Sequence, residues 1–220
     1  MRKYLLIAGI GLSLVLAGCS KTTAPVENDS TPNTESGTQT QDLSLNNPEM
    51  CANAIKDHLA KADLKGKGTK TVEKGHQIVV HYVGRLDEEI VFDTSVEDVA
   101  KACGKHTPGR NYNEGLAFTV GAGQMIAGFD KGVEGMKIGQ TKTVTIPAKE
   151  AYGEWSKDNI IEVERTQLPA GEYQKGMKLM SAMGQPFTVY EIKEKTVVLD
   201  ANHELAGKDL IFDITLVEIK

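Results

Sequence analysis

The sequence predicts an α+β protein built mostly of short strands, with a small β subdomain inserted late in the chain. Three observations predict it. Twenty-two glycines demand many tight turns, which suits a β-rich fold better than a helical bundle. From residue 77 onward, apolar side chains recur with period two instead of at helical spacing. A block of about 45 residues between Gly153 and Leu199 has strands and turns of its own and is too long for an ordinary loop.

The first residues stand outside that fold. Arg2 and Lys3 give a positive start, and Tyr4 to Leu16 is uninterrupted by charge. An apolar run of about 13 residues fits the core of a secretory signal and falls short of the ~20 that a spanning helix needs. It ends in Leu16-Ala17-Gly18-Cys19, which resembles the lipobox of bacterial-type lipoproteins. On that reading residues 1–18 are removed, and the Cys19 sulfur carries a diacylglycerol. The anchor holds the protein to the extracytoplasmic face of a cell membrane. Ordinary secretion with a chance cysteine is the alternative. Residues 19–47 are rich in Ser, Thr, Asn, Gln and Pro, so they cannot bury enough apolar area to offset ordering and form a flexible tether.

Residues 48–70 read as an N-terminal helical extension. Met50, Ala54, Ile55, His58 and Leu59 recur at helical spacing, and Lys65-Gly66-Lys67-Gly68 reads as turns. Strands follow over Gln77–Gly84, Glu89–Asp93 and Ala117–Val120. Gln124–Val133 reads as a short helix stopped by Gly135. Further strands are expected over Gln140–Ile146 and Asp209–Ile219. In the late block, Ile160–Arg165, Lys178–Met183, Phe187–Lys193 and Thr196–Leu199 are each strand-like. No role is assigned to Val96–Gly115.

Composition excludes some functions. Asp and Glu (30) outnumber Lys and Arg (25), the net charge is −5, and no basic run stands out, so no nucleic-acid partner is expected. Five histidines, His58, His76, His81, His106 and His203, are scattered, and no metal site is expected. Cys51 and Cys103 could pair in an oxidising compartment, closing a loop of about 50 residues that is worth on the order of 4 kcal/mol. They could equally be two separate buried thiols.

Several motifs occur in a fixed order. Val80-His81-Tyr82-Val83-Gly84 precedes Val91-Phe92-Asp93-Thr94-Ser95, and Phe118-Thr119-Val120-Gly121-Ala122-Gly123-Gln124-Met125-Ile126-Ala127-Gly128-Phe129-Asp130 follows. Gly132 to Gly139, Ile146-Pro147, Ala151-Tyr152-Gly153 and Leu210-Ile211-Phe212-Asp213 complete the set. In order and nearly in spacing they resemble an FKBP-type peptidyl-prolyl cis-trans isomerase domain, over residues 71–153 and 199–220. The resemblance implies an antiparallel β-sheet wrapped on a short helix, acting without a cofactor. The 154–198 block and the Asn202-His203-Glu204-Leu205-Ala206-Gly207 that follows it resemble the SlyD-like branch. There an insert-in-flap domain acts like a chaperone toward unfolded chains.

The resemblance implies a catalytic set of Tyr82, Phe92, Asp93, Tyr152 and Phe212. Leu116, Phe118, Met125, Ile126 and Phe129 would bind the substrate. Leu116 and Phe118 fit core or pocket wall equally well. Phe129 would form the floor under the proline ring, where many relatives carry Trp. Tyr152 would donate to a substrate carbonyl. Asp93 would orient Tyr82 or face the twisting carbonyl. In the insert, Ile160, Ile161, Val163, Leu168, Met177, Leu179, Met180, Met183, Phe187, Val189 and Tyr190 either fill its own core or form an exposed apolar surface for clients. The expected partners are proline-containing and unfolded polypeptides, met by a monomer at the membrane. A non-catalytic binder that uses the same pocket is the competing reading.

Overall fold

The computed structural model describes residues 47–220, so the expected signal peptide, the anchor Cys19 and nearly all of the tether lie outside the described residues. The first element, α1 (Pro48–Ala60), begins where the sequence allows it. The Asn47 side chain accepts from the Glu49 N–H at 3.0 Å, and Pro48 occupies a position whose N–H needs no partner.

The strands are β1 (Lys67–Thr71), β2 (Gln77–Arg85), β3 (Val91–Thr94), β4 (Leu116–Thr119), β5 (Lys137–Ile138), β6 (Thr141–Ile146), β7 (Ile160–Glu164), β8 (Lys178–Met180), β9 (Pro186–Ile192), β10 (Thr196–Asp200) and β11 (Leu210–Ile219). Helices α2 (Glu97–Ala102) and α3 (Ala127–Val133) complete the framework. The main sheet runs β3-β2-β11-β6, entirely antiparallel. Strand β2 holds β11 along one edge. Its other edge pairs with β4 through Gln77–Val80 and with β3 through Val83–Arg85.

One face of this sheet wraps α3. Ile78, Val80, Phe118, Phe129, Val133, Ile146, Leu210 and Ile214 form the main core with Tyr82 and Phe212. Two glycines allow α3 to press so closely on β6. A Cβ on Gly128 would fall 2.2 Å from Ile146 Cγ2, and one on Gly132 would fall 3.1 Å from Val144 Cγ2. The helix begins at Ala127, later than Gln124, because Ile126 has an extended backbone (φ −58°, ψ 143°).

The other face of β2 is also covered. Val83 and Val91 pack with Cys51 and Ile55 of α1 and with Val99 and Cys103, so β2 is buried on both sides along most of its length. A buried ion pair stitches the strands together. Arg85 Nε donates to Asp213 Oδ2 at 2.8 Å and Thr143 Oγ1 donates to Asp213 Oδ1 at 2.6 Å, with Asp213 fully buried. A buried carboxylate so supplied with donors avoids the penalty of an unpaired charge.

Some expectations change. The helix ends at Ala60, and Lys67–Thr71, which overlaps the end of the expected 48–70 extension, is strand β1, paired with β5. Its side chains are almost all exposed, so no apolar alternation marked it. Val96–Gly115 contains α2, whose buried Val99 and Ala100 pin it beside α1. Cys51 and Cys103 are joined as a disulfide, which ties α1 to the end of α2.

The inserted block forms its own sheet in the order β7-β10-β9-β8. Its last strand runs to Asp200, past the expected boundary at residue 198, because Leu199 and Asp200 pair with both neighbours. Val189, Val197 and Leu199 make its core, with Val163, Leu168, Tyr173, Leu179 and Phe187 packed around them. Ile161, Met177, Met180, Met183 and Tyr190 stay outside that core, Met180 at 67% exposure and Met183 at 88%. The first group fills the insert's own core, whereas the second is exposed on its surface.

Candidate active site

The open end of the main core is an aromatic cleft of about 540 Å³. Tyr82, Phe92, Asp93, Leu116, Gln124, Met125, Ile126, Phe129, Tyr152 and Phe212 line it. Six elements or their flanking loops deliver these residues, with Phe129 coming from α3 itself and Tyr152 from the turn at Ala151–Tyr152 beyond β6. Strand β2 brings Tyr82, β3 brings Phe92 and Asp93, β4 brings Leu116, β11 brings Phe212, and the loop entering α3 brings Gln124 to Ile126. The rings meet edge to face. Phe129 lies 5.0 Å from Phe212 and 6.1 Å from Tyr82 between centroids, and Phe92 lies 5.4 Å from Phe212. Gly84 makes this possible, since a Cβ there would sit 2.7 Å from the Phe92 ring and 2.9 Å from the Phe212 ring.

The structure brings together nine of the ten expected cleft residues and corrects the tenth. Phe118 is only 2% exposed and stacks at a tilt on Phe129 (5.8 Å between centroids), so it belongs to the core instead of the binding surface. The reason is depth along one strand. Leu116 and Phe118 point to the same face of β4, but only Leu116 lies at the mouth.

The polar side of the cleft is a network of three residues. The Tyr82 hydroxyl donates to Asp93 Oδ2. Asp93 Oδ1 accepts from the Thr94 N–H at 2.8 Å and from Arg110 Nη1 at 2.9 Å, and Arg110 Nη2 donates to the Tyr82 oxygen at 3.2 Å. Burial, reinforced by the Asp93 carboxylate, pushes the Tyr82 phenol up to about 12. Burial opposes the charge on Arg110, but its bonds to Asp93 and Tyr82 outweigh this and raise the guanidinium above its ordinary value. Of the two roles open to Asp93, the geometry supports orientation of Tyr82.

Two donors remain for a ligand. Tyr152 stands at the rim, and among the described residues its hydroxyl has no hydrogen-bond partner. The Ile126 carbonyl accepts from the Phe129 and Asp130 N–H groups, while its own N–H is unpaired among the described residues. The loop that presents it is fixed at both ends. Gln124 Oε1 accepts from the Thr119 N–H at 2.8 Å, and Asp130 Oδ1 accepts from the Gly121 N–H at 2.9 Å.

Arg110 and Gln124 are site residues that the motifs did not reveal. Arg110 had one faint signal, since it is among only four arginines in a lysine-rich chain, and a planar fork is what a carboxylate beside a phenol selects. Among the described residues no three His, Cys, Asp or Glu side chains converge as metal ligands would. No helix among them is long and apolar enough to cross a membrane.

Comparison with known proteins agrees with this geometry. Residues 68–217 match the profile of FKBP-type peptidyl-prolyl cis-trans isomerases. A short-type peptidyl-prolyl cis-trans isomerase of Methanocaldococcus jannaschii is 38% identical over 151 residues, covering 68% of this chain and 94% of that protein. SlyD isomerases of Treponema pallidum and Helicobacter pylori are 32% and 37% identical over 109 and 106 residues. The matches cover 48% and 45% of this chain and 62% and 56% of those proteins, so the chain spans less than two thirds of either.

Proposed function

The chain belongs to the FKBP-type peptidyl-prolyl cis-trans isomerase family, and we propose that it speeds rotation about X-Pro bonds of proteins outside the cytoplasm. In this reading the inserted sheet holds unfolded clients, and a lipid on Cys19 keeps the protein at a membrane.

Rotation about a prolyl bond must break amide resonance, at a cost of ~18–20 kcal/mol. No covalent bond to the protein is required. The site has only to fit the twisted amide better than either planar form. The twisted amide carries less charge separation, so a cleft walled by Phe92, Phe129, Phe212 and Leu116, which strips water from the bond, disfavours the planar form more. Phe129 supplies a floor for the proline ring. The Ile126 N–H and the Tyr152 hydroxyl offer donors to the carbonyls on either side. Asp93 and Arg110 hold the Tyr82 phenol, so that its ring stays fixed in the cleft wall.

One observation carries this reading: an open aromatic hollow of about 540 Å³, with two donors at its rim that have no partner among the described residues. Support for client binding is the apolar surface of Met177, Met180, Met183 and Ile161 on a sheet that has its own separate core. Support for the location is the apolar leader ending at Cys19 and the Cys51–Cys103 disulfide, which suits an oxidising compartment.

Two assays test it. A fragment of residues 47–220 is expected to accelerate isomerisation of a short proline peptide, and no acceleration would leave only a binder. Replacing residues 154–200 with a short linker is expected to lower activity in proline-limited refolding far more than on the peptide. Equal losses would remove the client-holding role of the insert.

A further inference from the structure

The loop that leaves the insert touches the active site at Tyr152. Tyr152 and His203 stack face to face, their ring centroids 3.9 Å apart and their planes within 1° of parallel. Tyr152 needs such a contact. At 41% exposure it has little packing to fix its ring, and its hydroxyl has no partner among the described residues. Its backbone is anchored next door, where the Gly153 N–H donates to the Ala148 carbonyl at 2.8 Å. That bond fixes where the ring starts but leaves its side-chain torsions free.

His203, in contrast, is held from its own side. Its Nδ1 accepts from the Leu205 N–H at 3.1 Å, and Leu205 is buried in the main core. The preceding residue locks the two chain segments that join the insert to the isomerase fold. Asn202 Oδ1 accepts from the Ser156 N–H at 3.0 Å and from Asn159 Nδ2 at 2.9 Å, while Asn202 Nδ2 donates to the Ser156 carbonyl at 2.9 Å. The following residue, Glu204, pairs with Lys178 of β8 in the inserted sheet. The ring beneath Tyr152 therefore sits on a segment fixed by the core, by the entry segment of the insert and by its sheet.

We propose that His203 is a positioning residue: its flat face holds the Tyr152 ring so that the hydroxyl points over the prolyl cleft before substrate arrives. The segment leaving the insert thus sets part of the isomerase geometry. This rests on the isomerase reading above, with Tyr152 as the donor to substrate. The physical basis is preorganisation, since a rim tyrosine fixed in advance loses no side-chain freedom on binding. What the contact demands is an aromatic face. A phenyl ring at this position supplies the same face and gives up only the Nδ1 bond to the Leu205 N–H, while Asn202 and Glu204 still fix the segment that carries it.

Peptide isomerisation by the full chain tests this. H203L is expected to lower kcat/KM by about threefold to tenfold, the range that one aromatic contact supports. H203F is expected to restore it to within about twofold. In the Y152A background H203L is expected to cause no further loss, because its effect runs through that ring. The inference is overturned if H203L matches the wild type, if H203F is as impaired as H203L, or if the two losses multiply. A second readout does not depend on activity or on a variant's folding. In the wild-type chain with labelled tyrosine, the Tyr152 ring protons are expected to be shifted upfield by the stacked imidazole, and unshifted protons would overturn the inference. An inactive wild type with shifted protons would instead sink the isomerase reading and leave the positioning contact standing.

Discussion

Arg110 Nη1 lies 2.9 Å from Asp93 Oδ1, reaching across from the loop after α2 to the acid that holds Tyr82. The pair is partly open to solvent, so its value is geometric more than energetic: it fixes the carboxylate from the outside while Tyr82 is bonded from within. Arg110→Met is expected to leave stability within about 1 kcal/mol of wild type. It should lower kcat/KM on a proline peptide several-fold, with Arg110→Lys recovering only part because lysine lacks the fork. A stability loss that accounts for the whole activity loss in denaturant titrations would contradict this.

The raised phenol of Tyr82 gives a pH signature. The folded state keeps the proton up to about 12, whereas the unfolded chain releases it near the ordinary phenol value of 10.0. Tyr82 therefore contributes its full stabilisation below pH 10.0 and loses it as pH rises toward 12. After allowance for partial solvent access, the contribution is about 1–2 kcal/mol. The gap in unfolding free energy between wild type and Tyr82→Phe is expected to narrow across that window. A gap that stays constant with pH would show the phenol to be unperturbed.

Gly84 is needed for the space it leaves. Gly84→Ala puts a methyl into the rings of Phe92 and Phe212. Moving both is expected to cost about 1–3 kcal/mol as an overpacked core does, and to abolish most activity because the cleft wall shifts. Retained activity with a destabilised fold would separate the cleft from this contact.

The Cys51–Cys103 link closes a separation of 52 residues. Replacing both with Ala is expected to lower the unfolding free energy by about 2–4 kcal/mol through the freer unfolded chain. Adding reductant to the double variant should change nothing, while wild type should fall toward it. Equal stability of oxidised and reduced wild type would refute a stabilising role.

Replacing Met177, Met180 and Met183 with Gln removes apolar surface that the insert does not use for its own core. Stability is expected to stay within about 0.5 kcal/mol. Binding to a permanently unfolded protein should weaken while peptide isomerisation is unchanged, as checked by fluorescence titration and by the peptide assay. Unaltered binding would place the clients elsewhere.

The α+β class and the period-two strands were legible in the sequence because each depends on neighbours along the chain, whereas nine cleft residues were legible only through the family resemblance. Alternation in Gln77–Gly84 marks a face, and the fixed order of Tyr82, Phe92-Asp93, Phe129, Tyr152 and Phe212 marks a family. Tertiary structure alone decided the rest. It paired the polar Lys67–Thr71 with β5, buried Phe118 while leaving Leu116 at the mouth, and brought Arg110 to Asp93 and His203 to Tyr152. It also joined Cys51 to Cys103, the alternative the sequence had left open. The physical reason is common to all of these. Periodicity reports which side of an element is apolar, but which distant group meets that side, and how deep each residue lies, depends on loop closure and packing that no local pattern encodes.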